Sequence, residues 1–169
     1  SDESIAFARQ MGVDVVALDL SCPFTAARAR NTGCQRLLEI EPNTEFVFFI
    51  DGDCEMQTSW LSAALDVYSK NSDIAIVAGR LRERHPDMSV YNRLCDLEWD
   101  TPTGEVDEVG GIFVVRAAAF HGVGGFNGAI VAGEEPDLCF RLRHDGWRIL
   151  RIGSEMAWHD AAMTHFSQW

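Results

Sequence analysis

Lysine is almost missing from this 169-residue chain, in which Lys70 is the only one. Lysine and arginine together number 14 against 26 aspartate and glutamate residues, for a formal net charge of -12. A chain this acidic repels phosphate backbones and anionic headgroups, which argues against a nucleic-acid-binding surface and against anchoring on anionic lipid. Contact with a phosphate group would therefore need local arginines or a bound cation.

Paired cysteines and long apolar runs are also lacking. The five cysteines are odd in number and form no C-x-x-C pair, which predicts reduced thiols in a cytoplasmic setting rather than a disulfide framework or a zinc site. No apolar run approaches the roughly 18 residues of a membrane span, so we expect no membrane segment in this chain. Without repeats or a clear linker, residues 1–169 are expected to form a single domain.

Strand-like and helix-like segments alternate along the chain. Apolar or alternating patterns predict strands over five segments: 13–18, 46–50, 74–77, 109–115 and 147–152. Helices are expected between them, including one over 26–38 capped by Thr25 and one over 137–144 that Gly146 ends. Residues 79–84 are expected to form a basic turn. The alternation predicts an α/β fold, a mostly parallel (mixed) sheet with helices on both faces.

The clearest chemical signal is the stretch 46–53, Phe-Val-Phe-Phe-Ile-Asp-Gly-Asp. Five apolar residues predict a central strand covered on both faces, and ligands of open α/β sheets bind where such strands end. Asp51 and Asp53 follow directly and would repel each other unless a cation such as Mg²⁺ or Mn²⁺, itself bound to a phosphate, lay between them. An ordinary turn before the next helix is the alternative interpretation.

Two later segments add candidate residues. Glu134 and Glu135 lie at a predicted helix start, where the helix dipole by itself also favours acids. Asp137 and Arg141 have the spacing of an i, i+4 ion pair. His159 follows the last predicted strand, and its imidazole would suit Mn²⁺ beside two aspartates. A structural histidine packed near the neighbouring tryptophan is the alternative.

Four segments resemble, in order, those of the inverting glycosyltransferases of family 2: Ala29-Arg-Asn-Thr-Gly33, Phe48-Phe-Ile-Asp-Gly-Asp53, Gly110-Gly-Ile-Phe-Val-Val-Arg116, and Gly133-Glu-Glu-Pro-Asp-Leu-Cys-Phe-Arg141 with Gly146-Trp147. The resemblance implies the GT-A fold, a Rossmann-like fold that binds nucleotide sugars. It implies that the donor is bound by Arg30, Asn31, Asp51, Gly110 and Gly111. It implies that Mn²⁺ or Mg²⁺ is held by the D-x-D acids and a histidine: Asp51, Asp53 and His159. Catalysis is assigned to Glu135 and Glu134.

The implied activity is transfer of a sugar from a UDP-, GDP- or dTDP-sugar to a hydroxyl of a saccharide or lipid-linked acceptor, with inversion. Such a displacement needs a carboxylate to take the hydroxyl proton and a cation to neutralise the departing diphosphate. The family's usual base is aspartate, whereas Glu135 is one methylene longer, so Glu134 or Asp137 are alternatives. The first β-α-β elements of the family have no counterpart here, and we expect residues 1–169 to be a fragment lacking them.

Two other functions fit parts of the pattern. A haloacid-dehalogenase-like phosphatase would use Asp51 as nucleophile and Asp53 as acid, but it needs a later lysine, and Lys70 follows the D-x-D too closely. A non-catalytic glycosyltransferase-like binding module is the second alternative. Metal-dependent binding of a nucleotide sugar is expected of the enzyme and not of a truncated remnant.

Overall fold

The structure is a computed structural model that describes residues 3–19, 21–165 and 168. Its helices are α1 (Ser4–Gln10), α2 (Ala26–Ile40), α3 (Trp60–Lys70), α4 (Val90–Glu98), α5 (Ala117–Gly122) and α6 (Glu134–His144). Its strands are β1 (Phe46–Phe49), β2 (Cys54–Met56), β3 (Ile74–Glu83), β4 (Gly104–Glu105), β5 (Phe113–Arg116) and β6 (Arg148–His159). No helix in the described part of the chain is both long and apolar enough to cross a bilayer.

The six strands form one mixed sheet in the order β1-β5-β3-β6-β2, with β4 paired to β6. The α/β class is confirmed, but the expected mostly parallel sheet is wrong. Among the described strands only β3 and β6 run parallel, while the pairs β1–β5, β3–β5, β2–β6 and β4–β6 are antiparallel. A buried strand is apolar whichever way its neighbours run. The apolar runs therefore could not indicate whether neighbouring strands are parallel or antiparallel.

Helices cover both faces of this sheet, as predicted. One buried cluster joins α2, α5 and α6 to the sheet, with Phe113 and Leu138 inaccessible to solvent at its centre. The other joins α3 to the opposite face, where the Trp60 side chain is completely buried. Burial of these large side chains is the main stabilising contribution of the fold, at about 1.5–3 kcal/mol for each buried residue such as Leu or Phe.

Strand β1 differs from the expected central strand over 46–50. It ends at Phe49, and among the described strands it lies at one end of the sheet order. Val47 and Phe49 are buried, whereas Ile50 is exposed just before Asp51. The strand therefore delivers the D-x-D segment to the surface at the border of the apolar core.

Two more expectations are wrong, and one strand was not expected. Residues 13–18 form no strand, because no other described strand pairs with them and alternation alone cannot supply hydrogen bonds. Residues 79–84 do not form a turn, since β3 continues to Glu83 alongside β6. Strand β2 was not anticipated, and it exists because residues 54–56 pair with the long β6.

The helices agree better with the sequence. Thr25 is extended and its side chain accepts a hydrogen bond from the backbone N–H of Arg28 at 3.1 Å, which caps α2 as predicted. Helix α6 begins at Glu134, three residues earlier than expected. It follows Gly133, whose φ of 88° lies in the left-handed region that favours glycine.

Candidate active site

Arg30 on α2 joins three carboxylates that are far apart in the sequence. Its Nη2 lies 2.8 Å from Oδ1 of Asp51, just after β1. Its Nη1 lies 2.9 Å from Oε1 of Glu134 and 2.6 Å from Oε1 of Glu135, both in the first turn of α6. Three predicted site residues therefore meet around the guanidinium of a fourth. We call these four residues, Arg30, Asp51, Glu134 and Glu135, the Arg30 cluster.

The Arg30 cluster is largely withdrawn from solvent. The side chains of Arg30, Glu134 and Glu135 are 15%, 8% and 14% exposed, while that of Asp51 is 44% exposed. Burial lowers the pKa of the Arg30 guanidinium, but its hydrogen bonds and charge interactions with Asp51 and Glu135 outweigh that effect and raise the pKa overall. Since one guanidinium faces three carboxylates, the cluster retains negative charge and is complementary to a further cation.

The two predicted glycines differ in their relation to this cluster. A Cβ atom added to Gly111 would lie 2.7 Å from Nη2 of Arg30 and 3.1 Å from both Oδ2 of Asp51 and Oε1 of Glu135. A Cβ atom added to Gly110 would meet nothing within 4 Å. Gly111 therefore lies directly against the Arg30 cluster, and Gly110 does not.

Asn31 points away from the cluster and holds a loop. Its Nδ2 donates to the carbonyl of Phe126 at 2.8 Å, and its Oδ1 accepts from the N–H of the same residue at 3.0 Å. The Phe126 ring in turn lies 5.6 Å from the Arg30 guanidinium carbon. Asn31 thus supports Arg30 through Phe126. The sequence reasoning missed Phe126, because the glycines around it indicated only a loop.

A second group of possible ligands lies where β2 meets β6. Oδ2 of Asp53 is 3.3 Å from Nε2 of His159, and the Cys54 thiol lies 3.6 Å from Oδ1 of Asp53. One ligand atom from each of these three residues lies within 4.8 Å of the others. Of the predicted metal ligands, Asp53 and His159 come together here, whereas Asp51 faces Arg30. The sequence reasoning missed Cys54, whose adjacency to Asp53 was the available signal.

The surroundings of this group are partly apolar. Burial, followed by the negative charges of Asp53 and Asp51, raises the pKa of the Cys54 thiol to about 12. The His159 ring packs edge-on against Trp99 with centroids 4.8 Å apart, and its buried Nδ1 has no hydrogen-bond partner among the described residues. Oxygen, nitrogen and sulfur atoms so close together form a donor set that fits a divalent cation.

Two other candidates are engaged elsewhere. Asp137 forms the predicted i, i+4 pair with Arg141, whose Nη2 lies 2.8 Å from Oδ2 of Asp137. Arg141 also donates to the carbonyl of Val123 at 2.6 Å, so this pair secures α6 to the loop after α5. Lys70 pairs with Asp66 on the exposed side of α3 and does not approach Asp51 as a phosphatase lysine would.

A comparison with known sequences finds a glycosyltransferase that is similar to this chain. No family model matches the chain. The pre-mycofactocin glycosyltransferase of Mycobacterium tuberculosis is 31% identical over 145 residues, in strains CDC 1551 / Oshkosh and ATCC 25618 / H37Rv alike. The match takes in 79% of this chain and 30% of the relative, so the chain spans less than a third of that protein's length.

Solved structures show the same fold. The structure of GalNAc-T7 with UDP, GalNAc and Mn²⁺ matches 98% of this chain and 35% of that chain, with a TM-score of 0.65 at 14% identity. The structure of A197 from STIV matches 92% of this chain and 76% of that chain, with a TM-score of 0.54 at 17% identity. The likeness in sequence and the likeness in structure together identify the chain as a glycosyltransferase-like domain with the GT-A fold.

Proposed function

We propose that the protein transfers a sugar from a nucleotide-sugar donor to an acceptor hydroxyl with inversion, in the manner of glycosyltransferase family 2. The observation that carries the proposal is the Arg30 cluster, in which Asp51 of the D-x-D segment meets Glu134 and Glu135 around one guanidinium. An acid for the donor site and an acid for the acceptor hydroxyl are thereby held side by side.

A divalent cation, Mn²⁺ or Mg²⁺, is part of this proposal. Asp53 and His159 would hold it, and the exposed carboxylate of Asp51 borders the same surface. When bound, the cation would neutralise the diphosphate as it departs. The structure of GalNAc-T7 contains UDP, GalNAc and Mn²⁺, and we propose a UDP-, GDP- or dTDP-sugar as donor here, with a saccharide or lipid-linked acceptor.

Glu135 is the proposed base among the three acids at the start of α6. Its Oε1 lies 3.1 Å from the position of a Cβ atom added to Gly111, at the edge of the Arg30 cluster. Glu134 is more deeply buried, and Asp137 pairs with Arg141 outside the Arg30 cluster. Glu135 therefore combines contact with the cluster and access to a ligand lying on Gly111.

The two glycines provide a matched test of this arrangement. We expect Gly111→Ala to weaken binding of a nucleoside diphosphate by at least about tenfold, because the new methyl group would displace the carboxylates and the guanidinium that it meets. Gly110→Ala should leave the affinity within about twofold, since its Cβ meets nothing. Isothermal titration calorimetry measures both. Equal effects of the two substitutions would contradict the assigned position of Gly111.

Nucleotide binding tests the function itself. Calorimetric titrations with UDP, GDP and dTDP, each with and without Mn²⁺, should show binding of one nucleotide that depends on the cation. Asp53→Ala should abolish that binding, because it removes a carboxylate from the cation site. Asp66→Ala, which removes an equal charge from the exposed side of α3, should leave it unchanged.

The outcomes of these titrations separate the alternatives. Cation-dependent binding that is lost in Asp53→Ala supports a donor site. Binding that is independent of the cation and unaffected by Asp53→Ala would argue against the metal-dependent transfer. If none of the three nucleotides binds, a non-catalytic module becomes the better description of this chain.

A further inference from the structure

We propose that Cys54 is a protein ligand of the cation site and makes it a zinc-preferring site, with Asp53 and His159 as the other two ligands. The inference rests on the proposed function, since it concerns the cation of the same site, and it replaces the Mn²⁺ or Mg²⁺ proposed there with zinc because of the chemistry of the ligands. It also departs from the expectation that the cysteines form no zinc site, an expectation based only on cysteine-to-cysteine spacing.

The backbone brings two of these ligands together whatever their rotamers. Strands β2 and β6 are antiparallel, and their register places Cys54 directly opposite His159. Side chains at such opposed positions project from the same face with Cβ atoms about 4.5–5.5 Å apart. The pairing of the two strands thus builds a sulfur and a nitrogen donor into one face of the sheet.

The turn before β2 adds the oxygen donor. The N–H of Cys54 donates to the carbonyl of Asp51 at 3.1 Å, and the N–H of Asp160 donates to the carbonyl of Asp53 at 3.2 Å. The first bond closes the D-x-D turn, and the second ties that turn to the residue that follows His159. The backbone of Asp53 is therefore held beside the Cys54–His159 pair.

The distances between the donor atoms suit a tetrahedral ion. With zinc bonds of about 2.0–2.2 Å to oxygen or nitrogen and about 2.3 Å to sulfur, the edges of the tetrahedron are about 3.4 Å and 3.6 Å. The observed separations are 3.3 Å from Nε2 of His159 to Oδ2 of Asp53 and 3.6 Å from Sγ of Cys54 to Oδ1 of Asp53. One donor atom from each residue lies within 4.8 Å of the others, so small side-chain rotations would bring a single Asp53 oxygen, the nitrogen and the sulfur to the edges of one tetrahedron.

The chemistry of the donor set decides the preferred ion. Magnesium and manganese favour oxygen ligands, whereas a thiolate beside an imidazole favours zinc or cobalt. Asp51, the oxygen ligand that would favour the harder ions, is drawn towards Arg30 instead. Three protein ligands leave the fourth tetrahedral position open to water or to a phosphate oxygen. Binding of the sulfur releases the thiol proton to the solvent.

Cobalt is the probe, because a cobalt–thiolate bond produces a charge-transfer absorption in the near ultraviolet. Titration of the whole chain with Co²⁺ should produce this band together with the strong visible bands of a tetrahedral site. Cys54→Ser should remove the charge-transfer band and weaken zinc binding by roughly tenfold or more. Cys22→Ser, at an exposed cysteine outside the proposed ligand set, should retain both.

Competition between metal ions measures the preference of the site for zinc. Zn²⁺ at equimolar concentration should displace Co²⁺ and abolish the band, and Mg²⁺ in about a thousandfold excess should not. The proposal is overturned if wild-type protein gives no charge-transfer band, if the band is unchanged in Cys54→Ser, or if Mg²⁺ displaces cobalt readily. The wild-type spectrum alone shows whether the charge-transfer band forms, even if a variant folds poorly.

Nucleotide titrations of the same samples separate this proposal from the function. If UDP, GDP or dTDP binds with Mn²⁺ but cobalt gives no thiolate band, the zinc preference fails and the transferase proposal stands. If the band forms but no nucleotide binds with any cation, the metal site stands and the transferase proposal fails.

Discussion

Replacing Arg30 by methionine is expected to lower the free energy of unfolding by about 3–5 kcal/mol. The guanidinium is the shared partner of Asp51, Glu134 and Glu135. Its removal leaves three carboxylates close together, two of them in the mostly buried first turn of α6. The large effect arises from this uncompensated charge, since an intact buried ion pair by itself contributes little net stability.

Urea unfolding followed by circular dichroism measures this change. Arg36→Met is the matched control, because Arg36 lies on the same helix and pairs with Asp14 and Glu39 at the exposed surface. Its loss should cost about 1 kcal/mol or less. Arg30→Lys should recover only part of the loss, since an ammonium cannot reproduce the fork that reaches all three acids. A similar cost for Arg30→Met and Arg36→Met would contradict the central place of Arg30.

Asn92→Leu is expected to destabilise the protein by about 3 kcal/mol through a different network. Glu83 is completely buried, and its carboxylate accepts hydrogen bonds from the N–H of His85, from Nδ2 of Asn92 and from the N–H of Ala161. Oδ1 of Asn92 accepts a further bond from the N–H of Met163 at 3.0 Å. Leucine fills the space but leaves a buried carboxylate with fewer donors and one amide without an acceptor.

This network also bears on the candidate metal site. Glu83 lies beside His159 in the register of β3 and β6, and Ala161 and Met163 belong to the segment that follows His159. We therefore expect faster hydrogen exchange at the amides of Ala161 and Met163 in Asn92→Leu. Asn43→Leu, on an exposed turn, is the control and should change neither stability nor exchange at these amides. Unchanged exchange in Asn92→Leu would show that other contacts hold this segment.

Local patterns in the sequence predicted the helices and the positions of the site segments well. Thr25 caps α2, and Gly146 follows the end of α6 with a φ of 89°, because these side chains and backbone preferences act within a few residues. The apolar run after Glu45 became a strand that ends just before the D-x-D segment. Arg30, Asp51, Glu134 and Glu135 were all named from sequence, and they meet in one cluster.

The sequence by itself thus determined the α/β class and the helix boundaries to within a few residues, and it named the three acids that lie together at Arg30. The tertiary structure decided the strand directions, the absence of a strand over 13–18 and the presence of β2. It also decided that Asp51 faces Arg30 while Cys54 lies opposite His159. The physical reason is the distance along the chain over which each interaction acts. Helix capping and apolar periodicity depend on neighbouring residues. Strand pairing and register depend on hydrogen bonds between segments about a hundred residues apart.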